Sequence, residues 1–442
     1  MNRGEYLETR RGQLSRLAVR QRKQRSLFLR CPAATKNSMR DEDKIAFQNQ
    51  VLNELTHWKR RAYRGDIALD FEVTPGQGRH APPLIQTVVK NYLDLLHIPV
   101  KGVKTARKRL LYRDDKQVKL LSASYSHAGN KEKDEIWLRA ASMGDFLEDV
   151  ALAERVLRDD FTEDATTRFG ERLDVQRFLD DQAKRDDDDN AFEELKKLNK
   201  DTGAMKARYG ELAFQSIHWS LSQRAQDSFL GNASPDIRQW TSILAPQTRQ
   251  YSVGASDDTD LARALELIDA TLRSMLLSPP LALDLRQLPS LDYSKTEFKK
   301  ATRAAISDYR KRYPWLFPLA VPVDVAILFV PPTGGGVDLD NLARYIVPAV
   351  NEELQPPPTP TAAMPEDLIK AYPPLAAMLA EKRKLPSYSI RRYEVVEMRR
   401  MSSEPPEGVV RLILHGGSRD KGTIQEQFQS LLSAWSKSIS RL

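Results

Sequence analysis

The pattern of hydrophobic and polar residues predicts a series of short strands and amphipathic helices in the first third of the chain. Residues 26–31 predict a strand, and apolar residues at helical spacing follow over 41–58. Apolar and polar residues then alternate from Asp66 to Val73, which predicts a strand with one buried and one exposed face. A helix over 84–96 and strands over 118–126 and 136–140 complete the series.

The same order of elements is predicted again near the other end of the chain. The predicted elements there are strands over 281–286 and 321–330, helices over 292–313 and 340–354, and strands over 390–399 and 409–415. Both stretches therefore have the order strand, helix, strand, helix, strand, strand. Because an order that occurs twice indicates internal repetition, the sequence predicts two copies of one mixed α/β unit.

We divide the chain into five segments. They are a basic N-terminal segment (1–24), a first α/β domain (25–142), an α-helical insert (143–278), a second α/β domain (279–417) and a C-terminal helix (418–442). Within the insert, 146–157, 191–230 and 260–277 predict helices, and 231–256 predicts a loop. The expected fold class is α+β, with two mixed α/β domains forming a tandem pseudo-dimer within one chain.

Length and composition agree with a chain of this kind. The 442 residues are about three times a typical domain, and 41% hydrophobic with 29% charged residues is typical of globular proteins. The single cysteine, Cys31, excludes a disulfide framework and a Cys-based zinc site. No apolar run is long enough for a membrane span and no signal peptide is evident, so we expect a cytoplasmic protein without a membrane partner.

Basic residues are clustered in the stretches 1–30, 101–119 and 382–400, and an acidic region over 145–194 separates the last two. Segregated charge of this kind favours a polyanionic partner, and we expect DNA. The residues predicted to bind DNA are Lys101, Lys104, Arg107, Lys108, Arg109, Lys116, Arg391 and Arg392. The N-terminal stretch predicts a helix that lies either on DNA or on the acidic insert. Trp137, in a predicted strand, is expected in the core.

The sharpest chemical signal is the segment 333–342, Thr-Gly-Gly-Gly-Val-Asp-Leu-Asp-Asn-Leu. It follows a predicted strand, its glycines would let a phosphate approach the backbone, and Asp338 and Asp340 enter the next helix. Either aspartate could be only the N-cap of that helix. Two carboxylates beside a basic surface also supply the hard oxygen ligands that Mg²⁺ takes together with a phosphodiester.

The stretch Asp338-Leu-Asp-Asn-Leu342 resembles the signature of RusA-type Holliday junction resolvases. The resemblance covers residues 279–415, including the predicted strands and helix around the motif. It implies a RusA-like mixed α/β fold and a homodimeric endonuclease that depends on Mg²⁺, with Mn²⁺ as a substitute. It also implies catalytic and metal-binding roles for Asp338 and Asp340, with Asn341 beside them and Arg344 where the family has a lysine.

Each copy keeps a different part of the acidic set that the resemblance implies. The family places an Asp-Asp pair just before a later strand, and the first copy has Asp114-Asp115 at that place. The second copy has Pro386-Ser387 there. Conversely, the first copy has His80-Ala-Pro-Pro-Leu84 where the second has the aspartate motif.

Three explanations stay open for this division. Asp114, Asp115, Asp338 and Asp340 could form one composite metal site. Glu394 or Glu397 could replace the missing ligand within the second copy. Both sites could also have lost their activity, which would leave a protein that binds DNA structures without cutting them.

The expected function is a Mg²⁺-dependent, structure-selective endonuclease that cleaves phosphodiesters of branched DNA such as a four-way junction. Arg344 or Lys116 would stabilise the charge on the phosphate. The alternatives are a catalytically inactive protein that binds branched DNA, or a protein-interaction scaffold that uses the acidic insert. A nuclease should cleave DNA only with metal. A binding protein should bind junctions in a salt-sensitive way that metal does not affect, and a scaffold should have no affinity for DNA at physiological salt.

Overall fold

A computed structural model describes most of the two predicted α/β regions and part of the segment between them. The described residues are 3–57, 60–76, 84–126, 133–158, 161, 237–251, 282–288, 295–312, 323–354, 390–400, 404–416 and 422–440. The predicted helices over 191–230 and 260–277 lie outside these residues.

The described strands form one mixed sheet. They are β1 (Arg25–Arg30), β2 (Ile67–Thr74), β3 (Val118–Tyr125), β4 (Glu135–Ser142), β5 (Ala282–Leu285), β6 (Val323–Val330), β7 (Ile390–Glu397) and β8 (Val409–Gly416). Their order in the sheet is β1-β4-β2-β3-β7-β6-β8-β5. The pairs β2–β3 and β6–β7 are parallel, and the other neighbouring strands are antiparallel.

Helices cover both faces of this sheet. They are α1 (Arg3–Glu8), α2 (Arg10–Lys23), α3 (Asp41–His57), α4 (Ile85–His97), α5 (Met143–Arg158), α6 (Ile237–Tyr251), α7 (Lys295–Arg312), α8 (Leu339–Leu354) and α9 (Ile424–Ile439), with a 3₁₀ turn over Asp115–Gln117. One core lies between the sheet and α3, α4, α7 and α8. A second core lies on the opposite face, against α2, α5, α6 and α9. Among the described helices, none has both the length and the apolar character that crossing a membrane requires.

The predicted order of elements is confirmed in both stretches, but two predictions are wrong. Helix α6 lies within the predicted loop over 231–256. Its Ile237, Trp240 and Leu244 recur at helical spacing and are buried, although Pro246 disfavours a helix interior. Strand β2 is buried on both faces rather than on one, because it lies inside the sheet with helices above and below it.

The two halves of the sheet have the same internal arrangement. The first half has the order β1-β4-β2-β3, and the second, read from its outer edge, has β5-β8-β6-β7 with the same parallel and antiparallel pairs. The register shifts after the first residue of β2, between Ile67 and Ala68, and at the same place in β6, between Val323 and Asp324. An irregularity at matching positions shows that the likeness extends to the details of pairing.

Strands β3 and β7 join the halves into one continuous sheet. They are antiparallel, and Ser122 lies opposite Glu394 at the centre of their register. Both residues are the fifth of their strands, so a pseudo-two-fold axis passes between them. Helices α4 and α8 pack against each other beside this axis, on the face of the first core. The sheet therefore brings the start of α8 close to the end of the α4–β3 connection.

Candidate active site

The aspartate motif lies where β6 has ended and α8 begins. The connection turns at Gly335, whose φ of 124° lies in the left-handed region that favours glycine. Asp338 precedes the helix, and its carbonyl oxygen accepts a hydrogen bond from the Leu342 amide at 3.3 Å. Its side chain accepts from Asn341 Nδ2 at 3.3 Å. Asp340, in the first turn of α8, is only 4% exposed.

A lysine from the other half of the molecule contacts this motif. Lys90 Nζ, from α4, lies 2.6 Å from Asp340 Oδ2 and 3.2 Å from Asp94 Oδ1. The same nitrogen lies 3.8 Å from Asp115 Oδ2. The ammonium group of Lys90 therefore lies among carboxylates from both halves. It is close to Asp115 of the first half and to Asp340 of the second.

Asp114 and Asp115 have different positions despite being adjacent. Asp114 is exposed, and its side chain caps the 3₁₀ turn by accepting a hydrogen bond from the Lys116 amide at 3.0 Å. Asp115 is the first residue of that turn and its side chain is 24% exposed, on the side of Lys90. Of the predicted pair, Asp115 belongs to the cluster with Asp340, whereas Asp114 is used as a cap.

The electrostatics of the cluster reflect burial combined with an excess of carboxylates. Burial raises the pKa of Asp338, and the nearby charges of Asp340 and Asp115 raise it further, against the opposing effect of Lys90 and Lys116. Burial also raises the pKa of Asp115, which Lys90 partly offsets. The pKa of Lys90 is lowered by burial but is raised overall by its carboxylate neighbours, Asp340 first. Lys90 therefore carries its proton throughout the physiological pH range.

The cluster contains the residue types, though not the arrangement, that bind a divalent cation. Asp115, Asp338 and Asp340 supply hard oxygen donors of the kind that Mg²⁺ prefers. Asp115 Oδ1 and Asp338 Oδ1 are buried and have no hydrogen-bond partner among the described residues. Within the described part of the chain, no group of three or more His, Cys, Asp or Glu side chains is already arranged to hold a metal ion. The positive charge at this place comes from Lys90.

Tyrosine side chains line the buried side of the cluster. Tyr393, from β7, is fully buried, and its hydroxyl has no hydrogen-bond partner in the described part of the chain. Burial raises its pKa, and the charge of Asp340 adds to the effect. Tyr112, which precedes Asp115, donates its hydroxyl to the Leu93 carbonyl at 2.7 Å. Both tyrosines are buried close to the cluster, and after burial the charges of its carboxylates raise the pKa of each.

The positions of the site residues are related by the likeness of the two halves. Helices α4 and α8 have nearly the same burial pattern from their first residues onward. Gln86 in α4 then corresponds to Asp340 in α8, and Lys90 corresponds to Arg344, because the members of each pair lie equally far from the helix start. By this correspondence the counterpart of residues 338–342 is 84–88, four residues later than the predicted 80–84. Our sequence reasoning missed Lys90, although an alignment of the two helices at their N-termini would have found it.

Several predicted residues do not join the cluster. Arg344 is exposed on α8, and Lys90 is the cation that contacts Asp340. Glu394 lies on the opposite face of the sheet, where it accepts hydrogen bonds from the Ile424 amide and, at 3.2 Å, from Ser122. Glu397 pairs with Lys119 at 2.7 Å. Neither glutamate replaces a ligand next to Asp338, because each is bound to other groups.

The basic residues predicted to bind DNA fall into two groups. Those of the α4–β3 connection lie mostly on the surface: Lys101, Lys104, Lys108, Arg109 and Lys116 are exposed, and Arg107 is partly buried. Arg392 is different, because its side chain is 18% exposed and lies 3.5 Å from Asp324. The side chain of Arg391 lies outside the described set. All residues of the first group except Lys116 precede Asp115 in the same connection.

The N-terminal basic helix lies on acidic residues of the protein itself. Arg20, in α2, is 3% exposed and lies 2.6 Å from Asp149 and 3.1 Å from Glu148, both in α5. Arg16 lies 2.9 Å from the same glutamate. Of the two alternatives for this segment, the structure therefore favours the helix that docks on the acidic insert.

Trp137 is not a core residue, contrary to the prediction. It is 46% exposed on β4, next to Phe28 of β1, which is 48% exposed. Trp137 lies beside the edge strand β1, and α9 contacts this face of β4 two residues further on, where Arg139 donates hydrogen bonds to Glu426 and Gln429.

No family model, characterised protein or solved structure matches the chain.

Proposed function

We propose that the protein is a Mg²⁺-dependent endonuclease that cleaves phosphodiesters of branched DNA. The observation that carries the proposal is the cluster in which Asp338 and Asp340 of one half meet Asp115 and Lys90 of the other. The resemblance to RusA-type resolvases implies acidic residues and a lysine in one site. In this chain each half alone has only part of that set, and the contacts of Lys90 unite the parts.

Asp115, Asp338 and Asp340 would hold the metal ion. Their side chains are at least partly buried, and two of their oxygen atoms have no hydrogen-bond partner among the described residues. A bound Mg²⁺ would activate a water molecule and offset the charge that develops on the phosphate. The ion would also offset the charges of Asp340 and Asp115, which add to the effect of burial in raising the pKa of Asp338.

Lys90 acts as a permanent positive charge rather than as a base. The acids around it hold its pKa above the ordinary value, so it stays protonated at neutral pH. Asp94 Oδ1, one helical turn along α4, lies 3.2 Å from the Lys90 nitrogen and orients it. A fixed ammonium group beside the reacting phosphate stabilises negative charge in the transition state. Lys116, whose charge also acts on Asp338, assists from the exposed side.

The surface next to the cluster suits the DNA backbone. Lys101, Lys104 and Lys108 are exposed in the connection that leads to Asp115. Lysines bind phosphates without reading bases, so they would position the backbone and leave the choice of substrate to DNA shape. The pseudo-two-fold arrangement of the halves matches the symmetry of a four-way junction.

The test is cleavage of four-way junctions with Mg²⁺ by the wild type and by the variants Asp115→Asn and Asp340→Asn. Asp114→Asn is the matched control, because it changes the adjacent aspartate, whose exposed side chain caps the turn that begins with Asp115. We expect the wild type and the control to cut and the other two to lose at least about 100-fold in rate. A wild type that never cuts, or an Asp115→Asn variant that cuts normally, would refute the proposal.

A second candidate is a protein that binds branched DNA without cutting it. The contact of Lys90 with Asp340 favours this alternative, because a lysine can neutralise a carboxylate site that no longer takes up metal. It predicts salt-sensitive junction binding that Mg²⁺ leaves unchanged, and no cleavage by any variant.

A further inference from the structure

We propose that the chain has one catalytic site rather than two, and that it therefore nicks a single strand at each encounter with a junction. The inference rests on the proposed function. A scaffold with a pseudo-two-fold axis presents two equivalent places, one on each side of the axis between β3 and β7. Both places would be active only if each had its own carboxylates.

The residues at the second place differ in charge from those of the cluster. Counting from the start of each helix, Leu84 corresponds to Asp338 and Gln86 to Asp340. Counting back from β3 and β7, Ser387, which lies outside the described residues, corresponds to Asp115. Every carboxylate of the cluster thus has a neutral counterpart, and only the cation is kept, as Arg344 for Lys90.

The buried state of Gln86 supports the loss of a site rather than a change of ligand. Gln86 is 1% exposed, and neither polar atom of its amide has a hydrogen-bond partner in the described part of the chain. A neutral amide with leucine in place of the first aspartate gives no charged oxygen for Mg²⁺. Among the residues that the structure describes, the second place therefore lacks the carboxylates that would hold a catalytic ion.

The chemistry follows from one site acting on one strand. In each event, water adds its hydroxyl to phosphorus, one P–O ester bond breaks, and the leaving oxygen takes up a proton. The products are a phosphate monoester and an alcohol at a single break. A paired cut across the junction requires a second event, with a repositioned chain or another copy.

A supercoiled plasmid that extrudes a cruciform distinguishes these outcomes. One nick releases the supercoiling and removes the cruciform, which gives an open circle, whereas two cuts within one complex give linear DNA. We expect open circles as the first product down to the lowest protein concentration that still cuts. Linear DNA as the first product at that concentration would overturn the one-site inference and leave the proposed nuclease intact.

Metal binding gives a readout that does not depend on cleavage. Titration with Mn²⁺ should show that Asp340→Asn abolishes binding, whereas Gln86→Leu leaves it unchanged. Loss of only half of the bound Mn²⁺ in Asp340→Asn would point to a second, independent site and would contradict the inference. Absence of any cutting by the wild type, by contrast, would reject the proposed function itself, and the one-site inference with it.

Discussion

The two halves of the molecule share a scaffold but differ in chemistry. Both have the same strand order, the same pairing and a register shift at the same place. The first half contributes Lys90 and Asp115 to the cluster, and the second contributes Asp338 and Asp340. The fold requires the same strand pairing and the same pattern of buried apolar residues in both halves. It does not require the same charged residues, and these differ between the halves.

Under the proposed function, the difference explains how the site residues can be divided between the halves. Each half then needs only those site residues that face the shared cluster. Asp340 and Asp115 meet on Lys90 across the boundary of the halves, so either half can lack the other's acid without emptying the cluster. The equivalent place across the axis, with Gln86 and Arg344, then needs no carboxylates.

The largest expected effect comes from substituting the two equivalent cations separately. Lys90→Met should slow junction cleavage by roughly 100-fold, because it removes a fixed charge beside the phosphate. Arg344→Met, at the same position of α8, should change the rate by less than about threefold, because its side chain is exposed and Lys90 is the cation paired with Asp340. Single-turnover cleavage of a labelled four-way junction measures both rates.

The same two variants should also differ in how much Mg²⁺ raises their melting temperatures. Lys90→Met leaves the buried oxygens of Asp340 and Asp115 without their cation, so Mg²⁺ should raise its melting temperature more than that of the wild type. Arg344→Met should respond to Mg²⁺ as the wild type does. Equal effects of the two substitutions on both rate and melting temperature would contradict the asymmetry of the halves.

The sequence was sufficient for the order of elements but only partly for the site. Alternating and helical patterns are local, so the strands and helices of both halves were predicted within a few residues. The partnership of Lys90 with Asp340 is not local, because it depends on the pairing of β3 with β7. The different positions of the Asp114 and Asp115 side chains likewise depend on a 3₁₀ turn. Two adjacent identical residues do not predict that turn.

An effect on stability rather than on rate is expected at the centre of the boundary between the halves. Glu394 is fully buried opposite Ser122, and burial raises its pKa to about 8, against the hydrogen bonds from Ile424 and Ser122 and the charge of Arg392, while Asp70 adds to it. The unfolded chain releases this proton near the ordinary glutamate value, so the folded state holds it over a wider range. The wild type should therefore lose stability as pH rises from about 4.5 to about 8.

The variant Glu394→Gln isolates this contribution. The amide keeps the shape of the side chain and cannot ionise, so stability should fall less steeply over the same interval, by a difference on the order of a few kcal/mol. Urea denaturation at several pH values measures the slope for both proteins. Burial raises the pKa of the nearby Asp70 as well, so part of the slope remains in the variant. A slope that is unchanged in the variant would show that Glu394 is charged in the folded protein.

The smallest effect is expected at Gln86, the counterpart of Asp340. Its amide is buried with no hydrogen-bond partner in the described part of the chain, which costs free energy because water would bond both atoms. Gln86→Met has nearly the same volume and no amide, so it should stabilise the protein by about 1 kcal/mol and leave cleavage unchanged. Urea denaturation measures the gain. A loss of stability instead would mean that the amide has a polar partner and that the second place still has a role in the folded chain.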